Sequence, residues 1–121
     1  MISVQLHHLT HANMRDAADE LGLETAQYQE LVGVFLTRTS AGIRELEAAL
    51  EGGDDAAAKR TIHEIKGTAL NMRLTMVAEP SVAMESVIKT AHKEQYPQRL
   101  SALKAGFDLL ASEARSLGIE G

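Results

Sequence analysis

The chain has no cysteine and no tryptophan, and its 121 residues include only two tyrosines, two phenylalanines and two prolines. Without cysteine there is no disulfide, no thiol chemistry and no cysteine-ligated metal. Hydrophobic residues make up 45% of the chain but aromatics only 3%. Ala, Leu, Ile, Val and Met must therefore build the interior, a composition suited to helices packed on helices. No apolar run approaches the roughly 18 residues of a membrane span. The opening Met1-Ile2-Ser3-Val4-Gln5-Leu6-His7-His8 lacks the charged region and long apolar stretch of a signal peptide. A cytoplasmic protein that does not engage a membrane is expected. The formal charge of −5 argues against nucleic acid as a partner, since such proteins carry a net basic face. Strand-like alternation, internal repeats and low-complexity tracts are also missing.

What is present is helical periodicity. A first short helix is expected over about Asn13 to Leu21, stopping at Gly22, and a second from about Thr25 to Glu51. In the second, Tyr28, Leu31, Val32, Phe35, Ile43, Leu46 and Leu50 recur at three- and four-residue steps and predict one buried stripe. Gly52-Gly53 ends it, and Asp54 or Asp55 caps the third helix, which runs to about Met72. A fourth runs from Leu74 to about Lys89. There Pro80 either kinks the helix or opens a new one at its first position. The fifth runs from near Pro97 to Leu117, with Leu100, Leu103, Phe107, Leu110 and Leu117 on one side. Short connections between long helices imply an all-α fold, an antiparallel up-down four-helix bundle with a short extra N-terminal helix. Residues 1–121 form one domain of ordinary size.

The third helix holds the chemistry. Its apolar stripe, Ala58, Ile62, Ile65, Ala69 and Met72, centres roughly 150° from His63, so the histidine faces away from the core. Lys59, Arg60, Lys66, Gly67 and Leu70 share its face. Three of these five are cationic in an acidic protein. Gly67 lowers helix propensity by about 1 kcal/mol relative to alanine, and it lies one turn from the ring, where a missing side chain leaves room for a large visitor. An exposed imidazole with positive neighbours and clearance suits a nucleophile that takes up an anionic group. No glycine-rich phosphate loop and no metal-binding carboxylate cluster accompany it. Asp54 and Asp55 lie more than two turns away. The expectation is a phosphoryl carrier that borrows its catalytic machinery, with no metal and no cofactor of its own.

The run His63-Glu64-Ile65-Lys66-Gly67-Thr68-Ala69-Leu70-Asn71-Met72 resembles the signature of histidine-containing phosphotransfer (HPt) domains. Leu31-Val32-Gly33-Val34-Phe35-Leu36 looks like that family's second-helix core, and Leu46 to Asp54 like its helix end and turn. The resemblance covers about residues 15 to 90, and the last helix matches in pattern only. It implies a four-helix bundle that shuttles phosphoryl groups between the aspartates of receiver domains in two-component phosphorelays. His63 would be the phosphorylated residue, Lys66 would neutralise phosphate charge and Gly67 would provide clearance. Lys59, Arg60, Leu70 and Arg73 are the remaining candidates for phosphoryl stabilisation or partner docking. The implied partners are response-regulator receiver domains and a hybrid histidine kinase, with Mg²⁺ expected on the receiver and the protein itself a monomer. The initiating Met1 and compact length point to a free-standing protein rather than the tail of a kinase. Arg73 departs from the family, which commonly has glycine there, and so reshapes the expected docking surface.

Two rival readings stand beside this one. One is an HPt-like module that binds a receiver or kinase without transferring anything, for which Arg73 is the motive. The other is an independent enzyme using His63 as general base, which lacks a visible partner carboxylate. His7 and His11 have metal-like i, i+4 spacing with His8 between them, but no acid or cysteine sits beside them in sequence to finish a site. His92 reads as a surface residue. Met72, Met76 and Met84 read as core filler in an aromatic-poor interior.

Overall fold

The computed structural model describes residues 4–121; Met1-Ile2-Ser3, part of the stretch read for a leader, lie outside the described residues. Among the described residues there are five α-helices, one short 3-10 turn and no strand. The helices are α1 (His11–Leu21), α2 (Thr25–Glu51), α3 (Asp55–Asn71), α4 (Thr75–Lys89) and α5 (Tyr96–Ser116), with the 3-10 turn at Lys93–Gln95 before α5. None of these helices is long and apolar enough to cross a membrane. In sequence order each helix from α2 to α5 packs on the next, α5 also touches α2, and α1 leans on α2.

The boundaries follow from capping chemistry. Thr10 accepts a hydrogen bond from the Asn13 amide at 3.0 Å, which starts α1 two residues before the apolar pattern does. Gly22, at φ 72°, closes α1 in the left-handed conformation. Asp54, rather than Asp55, caps α3 by accepting from the Ala57 amide at 3.1 Å. Tyr28, fully buried on α2, donates its hydroxyl hydrogen to the Met72 carbonyl at 2.6 Å and so satisfies the end of α3.

The third-helix stripe is buried in full, as are Met72, Met76 and Met84. On α2, however, Leu31 is 43% exposed, although periodicity assigned it to the core. Val32 and Phe35 fill the interior instead, and Leu31 turns outward with Val34. On α5, Leu103 and Leu110 are buried, while Leu100, Phe107 and Leu117 pack half-buried at the margin.

Pro80 neither ends α4 nor begins a new helix; it stands inside one continuous helix. Proline has no N–H, so the Met76 carbonyl loses its helical partner. Gly106 of α5 packs there, close enough that an added Cβ would collide with the Met76 carbonyl oxygen and touch the Pro80 ring. Two residues that look like helix defects thus meet where α4 and α5 approach closely.

Arg73 sits in the α3–α4 turn at φ 64°, a left-handed conformation that glycine adopts without strain. Its position therefore explains why glycine suits this turn. Its guanidinium pairs with Glu20 of α1 at 2.6 Å and reaches the Asn71 carbonyl at 2.8 Å. Its carbonyl accepts the Leu6 amide, and Glu20 also accepts the Val4 amide. The hydrogen bonds from Arg73 and Val4 hold the Glu20 carboxyl below the ordinary range. The segment before α1, with Leu6 and Leu9 buried, is tied to the α3–α4 turn by this group.

Gly106→Ala tests the α4–α5 contact. Alanine is the better helix former by about 1 kcal/mol, yet the collision with Met76 is expected to outweigh it and lower stability by about 1–3 kcal/mol. A urea midpoint equal to or above that of the wild type contradicts the close approach.

Candidate functional site

Residue His63 projects from α3 with 70% of its side chain exposed, one ring nitrogen engaged and the other not. Its Nδ1 lies 2.9 Å from Oε2 of Glu85 on α4. An ionised carboxylate can only accept, so Nδ1 carries the proton and the neutral ring keeps its free electron pair on Nε2. Among the described residues Nε2 has no hydrogen-bond partner. Glu85 is buried, with a side chain only 7% exposed. Its other oxygen, Oε1, accepts from Lys66 Nζ at 2.5 Å and stands 3.7 Å from Lys89 Nζ. Burial by itself pushes the Glu85 carboxyl up. The hydrogen bonds from Lys66 and His63, with the charges of Lys66 and Lys89, outweigh it and hold the group below its ordinary value of 4.5.

On the side toward α2 the ring borders an open groove of about 700 Å³ between α2 and α3. Leu31, Val34, Arg38 and Asn71 line it beside His63 and Gly67. Leu31 and Val34 are 43% and 51% exposed and give this groove apolar side chains without a covering element, while Leu70, 49% exposed, stands beyond it on α3. A Cβ built on Gly67 would meet nothing within 4 Å. Gly42, across the groove on α2, differs: its Cβ would press on Ile65 at 3.3 Å, so its smallness serves helix packing.

A family model described as Hpt domain matches residues 30–113, from early α2 to late α5. The chain belongs to the Hpt domain family. Hpt domains are histidine phosphotransfer modules of phosphorelay signalling, phosphocarriers rather than catalysts in themselves, and they work with receiver domains and kinases. No curated protein and no solved structure matches the chain.

In this Hpt domain the structure gathers His63, Lys66 and Gly67 at one spot, with Leu70 exposed a turn further along α3. Lys59 and Arg60 are exposed on the preceding turn. Lys66 is less free than its place in sequence implies: it is 22% exposed and bonded to Glu85. Arg73 is not on the His63 face; its side chain belongs to the Glu20 cluster. The partner carboxylate not visible beside His63 in sequence is Glu85, which is 22 residues away and reaches the ring from the neighbouring helix. A signal for it was present, a lone acid inside Val82-Ala83-Met84-Glu85-Ser86-Val87-Ile88, but nothing local names its partner. His8 likewise finds an acid that sequence proximity does not show, Glu113 of α5 at 2.7 Å. His7 meets Thr75, and His92 meets Thr90.

The depressed pKa of Glu85 fixes a pH dependence. Between its folded and unfolded values the unfolded chain binds more protons, so stability there falls as pH falls. The contribution of the Glu85 cluster is complete above 4.5 and is lost as pH drops through the lower folded value. Wild-type thermal midpoints are therefore expected to fall more steeply below pH 4.5 than those of Glu85→Gln. Parallel curves for the two proteins contradict the charged, cation-held state of Glu85.

Proposed function

We propose that this Hpt domain accepts a phosphoryl group on Nε2 of His63 from the phospho-aspartate of one receiver domain and passes it to another. The observation that carries this reading is the bond from His63 Nδ1 to Glu85 at 2.9 Å, which leaves Nε2 as the nucleophilic nitrogen of an exposed ring. In the transfer the Nε2 electron pair attacks phosphorus. The bond between phosphorus and the aspartyl oxygen breaks, and its electron pair leaves with the aspartate as a carboxylate. No proton needs to move: Nδ1 keeps its hydrogen, the phosphorylated ring becomes cationic, and the Glu85 carboxylate stabilises that charge. Passing the group on reverses these steps and restores the neutral ring.

Lys66 offsets charge on the phosphoryl group, with Lys59 and Arg60 adding positive potential on the same face. Gly67 gives the incoming aspartyl phosphate room. Leu31, Val34 and Leu70 supply the apolar contact on which a receiver docks, and the receiver brings its own Mg²⁺ and carboxylates. The chain contributes no metal and no cofactor, and acts as one monomeric domain, read as an antiparallel up-down four-helix bundle with α1 as the short addition. The rival reading, a module that docks without transfer, drew on Arg73. That side chain pairs with Glu20 away from the His63 face, and the two readings part on whether the chain takes up a phosphoryl group.

Incubation with a labelled phospho-receiver tests the proposal. The label should move to the chain, resist alkali, yield to acid as phosphohistidine does, and be absent from His63→Gln. Transfer to His63→Gln, or none to the wild type from any cognate receiver, contradicts it. Gly67→Gln should fold normally, since nothing crowds that position, while transfer slows on the order of ten- to a hundred-fold through lost clearance. Wild-type transfer in that variant shows that clearance is not what Gly67 provides.

A further inference from the structure

Two lysines compete for one oxygen of Glu85. Lys66 Nζ is hydrogen-bonded to Oε1 at 2.5 Å, whereas Lys89 Nζ, one turn along α4 from Glu85, stands 3.7 Å from the same atom. Lys66 is 22% exposed and Lys89 60% exposed. Lys89 is within about 1 Å of charge-assisted hydrogen-bond range, yet the site is already taken.

A phosphoryl group on His63 changes the balance. It places about two negative charges at the exposed edge of the ring. Lys66 is three residues further along α3, and side chains in a helix incline toward its N-terminus, so Lys66 leans toward His63. It can turn from Glu85 to the phosphoryl oxygens. With Lys66 turned away the cationic ring still holds Oε2, but Oε1 of this carboxylate, only 7% exposed, loses its hydrogen-bond donor, and a buried acceptor left unpaired is disfavoured.

We propose that Lys89 is a positioning residue that takes over Oε1 of Glu85 when Lys66 turns to the phosphoryl group. The exchange breaks no covalent bond and moves no proton. Glu85 keeps the His63 ring bonded through Oε2 throughout, so the ring stays oriented while Lys66 changes partner. This rests on the phosphotransfer reading of His63 and adds a residue from α4 to it. A static exposed i, i+4 pair on α4 is the alternative, and it predicts no link between Lys89 and Lys66 in the chemistry.

A double-mutant cycle separates the two, with phosphoramidate as a small phosphoryl donor so that docking to a receiver does not enter. Lys89→Gln is expected to slow loading of His63 by about three- to five-fold, the scale of one partly screened charge contact. Lys89→Arg should restore the rate. In a Lys66→Gln background, Lys89→Gln should have no further effect. Unchanged loading in Lys89→Gln, or an equal effect with and without Lys66, overturns the exchange and leaves the phosphotransfer reading standing. Failure of the wild type to load on His63 overturns both.

Discussion

The carboxylate of Glu85 is the constraint around which this molecule is arranged. A charged group only 7% exposed must be held by hydrogen bonds and counter-charges, or it would neutralise. Here it is held from two helices at once: His63 and Lys66 approach from α3, and Lys89 from its own helix α4. Such buried clusters seldom add stability beyond what well-packed apolar residues would give, but removing one member is costly. Their value is geometric. The Glu85 cluster fixes the seam between α3 and α4, and through it the orientation and tautomer of a ring that is otherwise mostly in solvent.

Small residues divide by what they are small for. Gly42 and Gly106 are places where another helix presses in, at Ile65 and at the Met76 carbonyl. A Cβ on Gly67 would meet nothing within 4 Å beyond its own helix backbone, so packing does not explain the absence of a side chain there. That contrast is the physical argument for reading the space over Gly67 as room for a visiting molecule. The exposed apolar side chains of Leu31 and Val34 in the same groove, with Leu70 exposed further along α3, extend that argument from one atom to a surface.

Local signals carried most of the fold. Gly22 and the pair Gly52-Gly53 mark the ends of α1 and α2, an aspartate marks the start of α3, and the apolar stripe of α3 places His63 on the outward face. The misjudged positions depend on long-range contacts. Periodicity cannot tell a core leucine from an exposed one, so on pattern alone Leu31 belongs inward. Pro80 alone reads as a kink or as the start of a new helix, because its partner Gly106 lies in another helix. Arg73 looked like a surface charge until its backbone conformation and Glu20 were known. Glu85 could be noticed as an acid among apolar residues, but its pairing with His63 spans 22 positions and has no local signature. Within the candidate site, the exposed His63 and the gap at Gly67 are readable from α3 alone, whereas Glu85, which meets the ring from α4, is not.

The central claim is that Glu85 sets which nitrogen of His63 is free to react. Imidazole ¹⁵N–¹H correlation spectroscopy of the protein at a pH where the ring is neutral reads this directly. The account predicts a protonated Nδ1 and a bare Nε2 in the wild type, with the preference weakened in Glu85→Ala. A wild-type ring protonated mainly on Nε2, or a tautomer preference that ignores Glu85→Ala, contradicts it.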